Sequence, residues 1–322
     1  MNKKVVVFGG GRALPVLLRG LKLFPVDITV IVNVSDDGGS TGKLREEFGM
    51  PAMGDIRGVM TSLSASEPMA KKLLEYRFET TGNLNDHSLG NLIITAATNI
   101  TGNLTEALAS LSDFFNLSGT ILPVTNESVT LVAKMTDGTT IEGEHKISEA
   151  GKTIAGIWYK EEPTTTPEVL KAIKNADLII FGIGSLYTSI IPNILGSDVR
   201  QAVLKSNARK MYVCNAMTQS GETSGFKVSD CIKVLNHYMG KDFLDVVIAA
   251  DTKIPQKIID RYKGLEMKST ILIDQTEIDA EAGEMNPELI TDDLLLINKK
   301  GFVEHDPLKT GFAIFSYLMK KK

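Results

Sequence analysis

Short runs of β-branched and aromatic residues, each ending in a glycine-rich, polar or acidic loop, recur along this 322-residue chain. Val5–Phe8, Ile28–Val34, Leu178–Phe181, Met211–Cys214 and Phe243–Ala249 are such runs. Strands that read as continuous apolar stretches are covered on both faces, which is the condition inside a parallel sheet. Between the first two runs, Leu14, Leu17, Leu18 and Leu21 are spaced as one face of a helix. The result is a βαβ unit with a right-handed crossover. Leu89, Leu92, Ile93 and Ala96 share a second helical face, and Leu104, Leu108, Leu111 and Phe115 a third. Thr166 is placed to cap a helix that opens with Pro167. A last helix runs near Leu308–Met319 into three lysines, a charge that suits a helix C-terminus. Between about 119 and 160 the period shortens: Val129, Leu131, Ala133 and Met135 alternate with polar residues, and Asp137-Gly138 marks a tight turn. This segment is expected to be an antiparallel β-hairpin excursion that lends support and carries no chemistry. The pattern predicts one α/β domain over residues 1–322, built on a doubly wound, mostly parallel sheet.

Charge and composition exclude several classes. Lys and Arg number 35 against 39 Asp and Glu, a net −4, so there is no global basic field for nucleic acid. No apolar run reaches the roughly 18 residues a membrane span needs. Lys3-Lys4 before Val5–Phe8 looks like the start of a signal peptide, but the apolar run stops at Gly9, too short for its hydrophobic region. A cytoplasmic protein is expected, and Cys214 and Cys231 fit a reducing compartment better than a disulfide framework.

In an open parallel sheet ligands sit at the carboxyl ends of the strands, so the loops after the strands carry the functional question. Gly9-Gly10-Gly11-Arg12 lets backbone approach an anion, ahead of a helix N-terminus. Leu14 breaks the dinucleotide fingerprint, and a tight turn without ligand is the plain alternative. Asp36-Asp37-Gly38-Gly39-Ser40 pairs carboxylates with flexible backbone, suited to a divalent cation or a ribose, or else to turn and cap chemistry. Asp55 is either a helix N-cap or a metal or ribose ligand, with Arg57 on phosphate. His87 and Asn91 open the next helix as candidate ligand contacts, and a single histidine there reads first as a hydrogen-bonded structural residue in preference to a general base. Gly184, Ser185, Thr188 and Ser189 form a hydroxyl-rich cradle without the lysine of a P-loop. Asn215, Thr218, Glu222 and Thr223 supply carboxamide, hydroxyl and acidic groups suited to a base or sugar, or to ordinary loop solvation. Cys-x-x-Cys and H-E-x-x-H are both missing.

Taken in order, Phe8-Gly9-Gly10-Gly11, Ser35 to Gly42, Gly54-Asp55-Ile56-Arg57, His87 to Asn91, Gly184 to Asn193, Cys214 to Thr223 and His305-Asp306-Pro307 resemble the YvcK family, the bacterial gluconeogenesis-factor group of the CofD-like superfamily. The resemblance covers nearly the whole chain and implies a Rossmann-like, CofD-like fold. It also implies a non-catalytic protein that binds a UDP-sugar such as UDP-N-acetylglucosamine. Such a protein acts with a protein partner, or as a homo-oligomer, in cell-wall synthesis and cell shape on gluconeogenic carbon sources. The enzymatic relatives are Mg²⁺-dependent phospholactate transferases, in which residues matching Asp37 and Asp55 would hold the metal. A nicotinamide oxidoreductase is a third reading. The sequence departs from the family pattern at Arg12, Ala13, Pro15, Gly58, Ile183, Ser220 and Glu304, the last standing where a basic residue often precedes the His-Asp pair.

Overall fold

Val5, Val6, Val7 and Phe8 are all essentially inaccessible to solvent, and this forces their strand into the middle of the molecule. The computed structural model describes residues 2–65, 68–266, 268–281 and 287–320. The chain opens with β1 (Lys3–Gly9), α1 (Leu14–Leu21), β2 (Val26–Val32), α2 (Gly39–Phe48) and α3 (Gly54–Leu63). It continues with α4 (Pro68–Glu75), α5 (Leu89–Thr101), α6 (Leu104–Phe114) and β3 (Thr120–Pro123). β4 (Leu131–Met135), β5 (Thr140–Glu142), α7 (Glu144–Glu149) and β6 (Ile154–Tyr159) come next. Then follow α8 (Pro167–Lys174), β7 (Leu178–Phe181), α9 (Ser197–Lys205), β8 (Arg209–Val213), α10 (Val228–Met239) and β9 (Val246–Ala250). The described chain ends with α11 (Gln256–Arg261), α12 (Gln275–Glu281), β10 (Glu288–Asp292), β11 (Leu295–Ile297), β12 (Val303–His305) and α13 (Pro307–Met319).

Seven strands form one sheet in the order β10-β9-β8-β7-β1-β2-β3. Every neighbouring pair in it is parallel. The chain winds outward from β1 through β2 to β3, then crosses to the far side of β1 and winds outward again from β7 to β10. The strand order therefore reverses between β1 and β7, and the crevice beyond their carboxyl ends is where such a sheet receives a ligand. Leu14, Leu17, Leu18 and Leu21 are buried, so the predicted stripe of α1 does face the core. At its far end α1 meets α13 backbone to backbone. A Cβ on Gly20 would overlap the Pro307 carbonyl oxygen, and one on Gly311 would lie 2.8 Å from the Gly20 carbonyl carbon.

Some expectations need correction. Thr120–Pro123 is no part of the excursion: it pairs with β2 as the edge strand of the main sheet, where a terminal proline is tolerated. The excursion proper is a separate three-stranded antiparallel sheet, β5-β4-β6, with α7 attached. α8 does begin at Pro167, but the Thr166 side chain makes no cap; its hydroxyl is buried without a partner among the described residues. Phe243 and Leu244 precede β9 instead of belonging to it; both are buried, and the Phe243 ring meets Phe181 edge-on at 5.2 Å between centroids. Among the described residues no helix is long and apolar enough to cross a membrane, and Cys214 and Cys231 are both buried and free.

Candidate functional site

The first glycine loop leaves β1 at the point where the strand order reverses. Gly10 must be glycine because two segments close upon it: a Cβ there would lie 2.5 Å from Asp55 Oδ2 and 3.5 Å from Ser189 Cβ. Asp55 sits in the first turn of α3 but does not cap its own helix. Its Oδ2 accepts the Gly11 N–H at 2.6 Å, tying α3 to the glycine loop. Burial pushes the Asp55 carboxyl up to about 6; the Gly11 bond opposes this, nearby Asp36 adds to it and Arg57 offsets part of it.

Asp36 reaches the same place from β2. Its Oδ1 accepts the Gly38 N–H at 3.0 Å. Its Oδ2 faces the start of α3, 2.8 Å from where a Cβ of Gly54 would be. Arg45 fixes the loop by donating to the Ser35 and Asp36 carbonyls, each at 2.9 Å. α2 and α3 both begin without a capping side chain, as α1, α5, α8 and α9 also do, while α6 and α13 are capped by Asn103 and Asp306. The open N–H groups of α2 and α3 therefore remain available to an anion. Asn91 braces the arrangement from α5, donating to Ser40 Oγ at 3.3 Å and Thr41 Oγ1 at 3.4 Å while accepting from Arg57 Nε at 3.1 Å. His87 is buried with Nδ1 3.2 Å from Ser40 Oγ.

These pieces line one cleft of about 640 Å³. Six cationic side chains, Arg12, Arg19, Lys22, Arg57, Lys71 and Arg77, border it, against three carboxylates, Asp36, Asp55 and Glu75. Gly11, Gly38, Gly39, Ser40 and Asn91 line it as well, so the first three predicted loops converge.

The other predicted residues are engaged elsewhere. Asp37 turns to the excursion, where its Oδ1 accepts the His145 N–H at 2.8 Å and so caps α7. Ser185 donates to Glu222, and Thr188 donates to Ser185 Oγ at 2.7 Å, so this hydroxyl cradle is closed upon Glu222. Asn215 clamps the Gly184 peptide, accepting its N–H at 3.2 Å and donating to its carbonyl at 2.5 Å. Thr218 accepts the Ser269 N–H at 2.9 Å, and Thr223 accepts that of Gln219 at 2.9 Å. Ser189 supports the glycine loop, its Oγ lying 3.1 Å from where a Cβ of Gly11 would be.

The excursion contributes more than support. α7 places Glu144 against the floor of the crevice, where its Oε2 accepts from Ser35 Oγ at 2.7 Å and Asn33 Nδ2 at 3.3 Å. Burial pushes the Glu144 carboxyl well up, and Asp55 and Asp36 push the same way. His145 of the same helix lines the cleft. Sequence reasoning missed both, because nothing in an alternating pattern says which carboxylate folds back onto the main sheet. It also missed Arg19, Lys22, Lys71 and Arg77, which resemble ordinary solvated helix charges until α1, α3 and α4 pack together.

The family profile described as "2-phospho-L-lactate transferase CofD" matches residues 5–295. The chain belongs to the CofD family. A protein of Bacillus subtilis (strain 168) named "Gluconeogenesis factor" is 43% identical over 316 residues, which is 98% of each chain. Another of that name from Halalkalibacterium halodurans is 42% identical over 280 residues, 87% of each chain. A crystal structure of a UPF0052-family protein from Bacillus halodurans superposes with a TM-score of 0.92 at 39% identity, covering 98% of this chain and 100% of that one. In this CofD-family chain the His305-Asp306-Pro307 motif is built into the fold. Asp306 caps α13 through the Lys309 N–H at 3.0 Å, and Pro307 is the first residue of that helix. Burial pushes the His305 imidazole down to about 4, so it is neutral at physiological pH. Glu304 accepts from Asn298 Nδ2 at 2.6 Å, within the β11–β12 hairpin.

Proposed function

We propose that the cleft binds the diphosphate of a UDP-sugar such as UDP-N-acetylglucosamine, and that the chain is a non-catalytic cytoplasmic regulator. In this reading it reports precursor supply to a protein partner in cell-wall synthesis and cell shape during growth on gluconeogenic carbon. One observation carries the reading: the uncapped N-termini of α2 and α3 open into a cleft that holds six cations and three carboxylates. Helix N-terminal amides and arginine guanidinium groups are the standard protein partners of phosphate. The relatives' name, gluconeogenesis factor, supports the physiological half.

Mg²⁺ fits this donor set through Asp55 and Asp36, which share the cleft, with Asp37 taken up by α7. Among the described residues no group of three or more His, Cys, Asp or Glu side chains is placed to hold a metal alone, so phosphate oxygens or water would complete the shell. A bound Mg²⁺ would neutralise phosphate charge beside the two aspartates.

The second reading is a phospholactate transferase, favoured by the family's description. A thermal-shift panel of UDP-N-acetylglucosamine, UDP-glucose, GDP and NAD, each with and without Mg²⁺, separates the two. At 100 times its dissociation constant the true ligand adds about 2.7 kcal/mol of stability. Selective stabilisation by the UDP-sugars is the expected result. A preference for GDP with Mg²⁺ would favour the transferase, and a flat response to all four would remove the nucleotide reading.

A further inference from the structure

The cleft is longer than a diphosphate, and its cations fall into two groups. Arg57 belongs to the first turn of α3, beside the glycine loop and the open amides of α2. Lys22 belongs to the other end, where its Nζ donates to the Ser62 carbonyl at 2.6 Å in the last turn of α3. The residues of α3 that line the cleft, Gly54, Asp55, Arg57, Gly58, Thr61 and Ser62, follow one face of the helix from end to end. At 1.5 Å per residue, Ser62 lies about 10 Å along the axis from Asp55. A diphosphate held at the N-terminus of α3 leaves Lys22 and its neighbours to another part of the ligand.

At that outer end Arg19 and Lys22 come from α1 and its C-terminal edge, and Lys71 from α4. They are crowded like charges: burial lowers the Lys22 pKa, and Lys71 and Arg19 lower it further. Among the described residues none of the three takes part in an ion pair. Glu75 lines the cleft too, one helical turn beyond Lys71, and its charge is also felt at Arg57. Lys22 carries its charge against burial and two neighbouring cations, with the Ser62 carbonyl as its acceptor, and an anion seated among the three would relieve that repulsion. Thr61 and Ser62 lie on the same wall, their hydroxyls donating back to the Arg57 and Val59 carbonyls at 2.9 and 2.8 Å.

We infer that Arg19, Lys22 and Lys71 form a second anion subsite, and that the preferred ligand is a nucleoside-diphosphate sugar whose sugar carries a carboxylate. The inference rests on the nucleotide-diphosphate reading above and deepens it by naming the charge of the sugar. A small ligand fits better than an acidic protein segment, because the cations line the wall of the same cleft that holds the diphosphate end.

Isothermal titration of the full chain tests it with paired probes. UDP-glucose is compared with UDP-glucuronic acid, and UDP-N-acetylglucosamine with UDP-N-acetylmuramic acid, each at low and high salt. At least one acidic member is expected to bind about tenfold or more tightly than its neutral partner, with the advantage shrinking as salt rises. In Arg19→Gln/Lys71→Gln the advantage of the acidic over the neutral member is expected to fall below about twofold, whatever the change in neutral-sugar affinity itself. Both residues lie on helix surfaces, and a thermal melt of the variant verifies its fold. Neutral and acidic sugars binding equally, or an advantage that survives the double substitution, would overturn the subsite and leave the diphosphate site standing. Failure of all four to bind would overturn both.

Discussion

Asp55→Asn is expected to stabilise the ligand-free chain by up to about 3 kcal/mol at pH 8 and by nothing at pH 3.5. The wild-type carboxyl ionises at about 6 in the folded chain and near 3.8 when unfolded. Each unit of such a shift corresponds to about 1.4 kcal/mol. Because the folded pKa is raised, the folded state holds the proton more tightly, and the penalty appears only when that proton leaves. Stability therefore falls as pH rises from about 4 to 6 and is level above that. Asparagine keeps an acceptor for the Gly11 N–H and removes the charge that burial and Asp36 oppose. The same substitution is expected to remove the Mg²⁺-dependent part of nucleotide affinity, so the gain in stability comes with a loss of function. Urea titrations at the two pH values check the first claim, and calorimetric titration with and without Mg²⁺ checks the second. A variant no more stable than wild type at pH 8 would show that the carboxylate is already compensated in the empty chain.

Gly20→Ala is expected to cost about 3 kcal/mol or more. The added methyl meets the Pro307 carbonyl oxygen, and Gly311 of the same helix already lies against the Gly20 backbone. Overpacking against a side chain is often relieved by rotation, at a typical cost of about 1–3 kcal/mol. Here the obstacle is backbone, so α1 and α13 would have to separate. α1 follows the glycine loop directly, so the displacement would reach the cleft and weaken ligand binding as well. Equilibrium unfolding in urea measures the effect, and a loss under 1 kcal/mol would mean that α13 moves aside freely.

The two glycines show where legibility in the sequence ended. The apolar stripe of α1 was readable because periodicity is local, but nothing local says that Gly20 meets Pro307 nearly 300 positions later. The sheet was legible for the same reason, since Val5–Phe8 and Leu178–Phe181 admit no environment except a covered parallel strand. The three loops that converge were legible through glycine, which leaves the backbone bare directly after a strand, where a ligand can reach it. The residue types alone left Asp36 and Asp37 equivalent and the resemblance pointed to Asp37, but only packing showed that Asp37 caps α7 while Asp36 faces the start of α3. Glu222 and Asn215 carried the right chemistry for ligand contact, yet their partners turned out to be Ser185 and the Gly184 peptide. A hydroxyl or carboxamide can serve loop or ligand, and its sequence position does not say which. Arg19, Lys22 and Lys71 were invisible as a group because the surfaces of two separate helices became one wall only on folding.

A crystal structure with bound UDP-N-acetylglucosamine tests the central claim most directly. The account predicts both phosphates within hydrogen-bonding distance of the amides of Gly39, Ser40 or Thr41 and of the Arg57 guanidinium, with the remainder of the ligand along α3 towards Ser62. Phosphates bound instead against the Ser185–Glu222 loop, or away from the cleft lined by Gly11, Ser40 and Arg57, would contradict it.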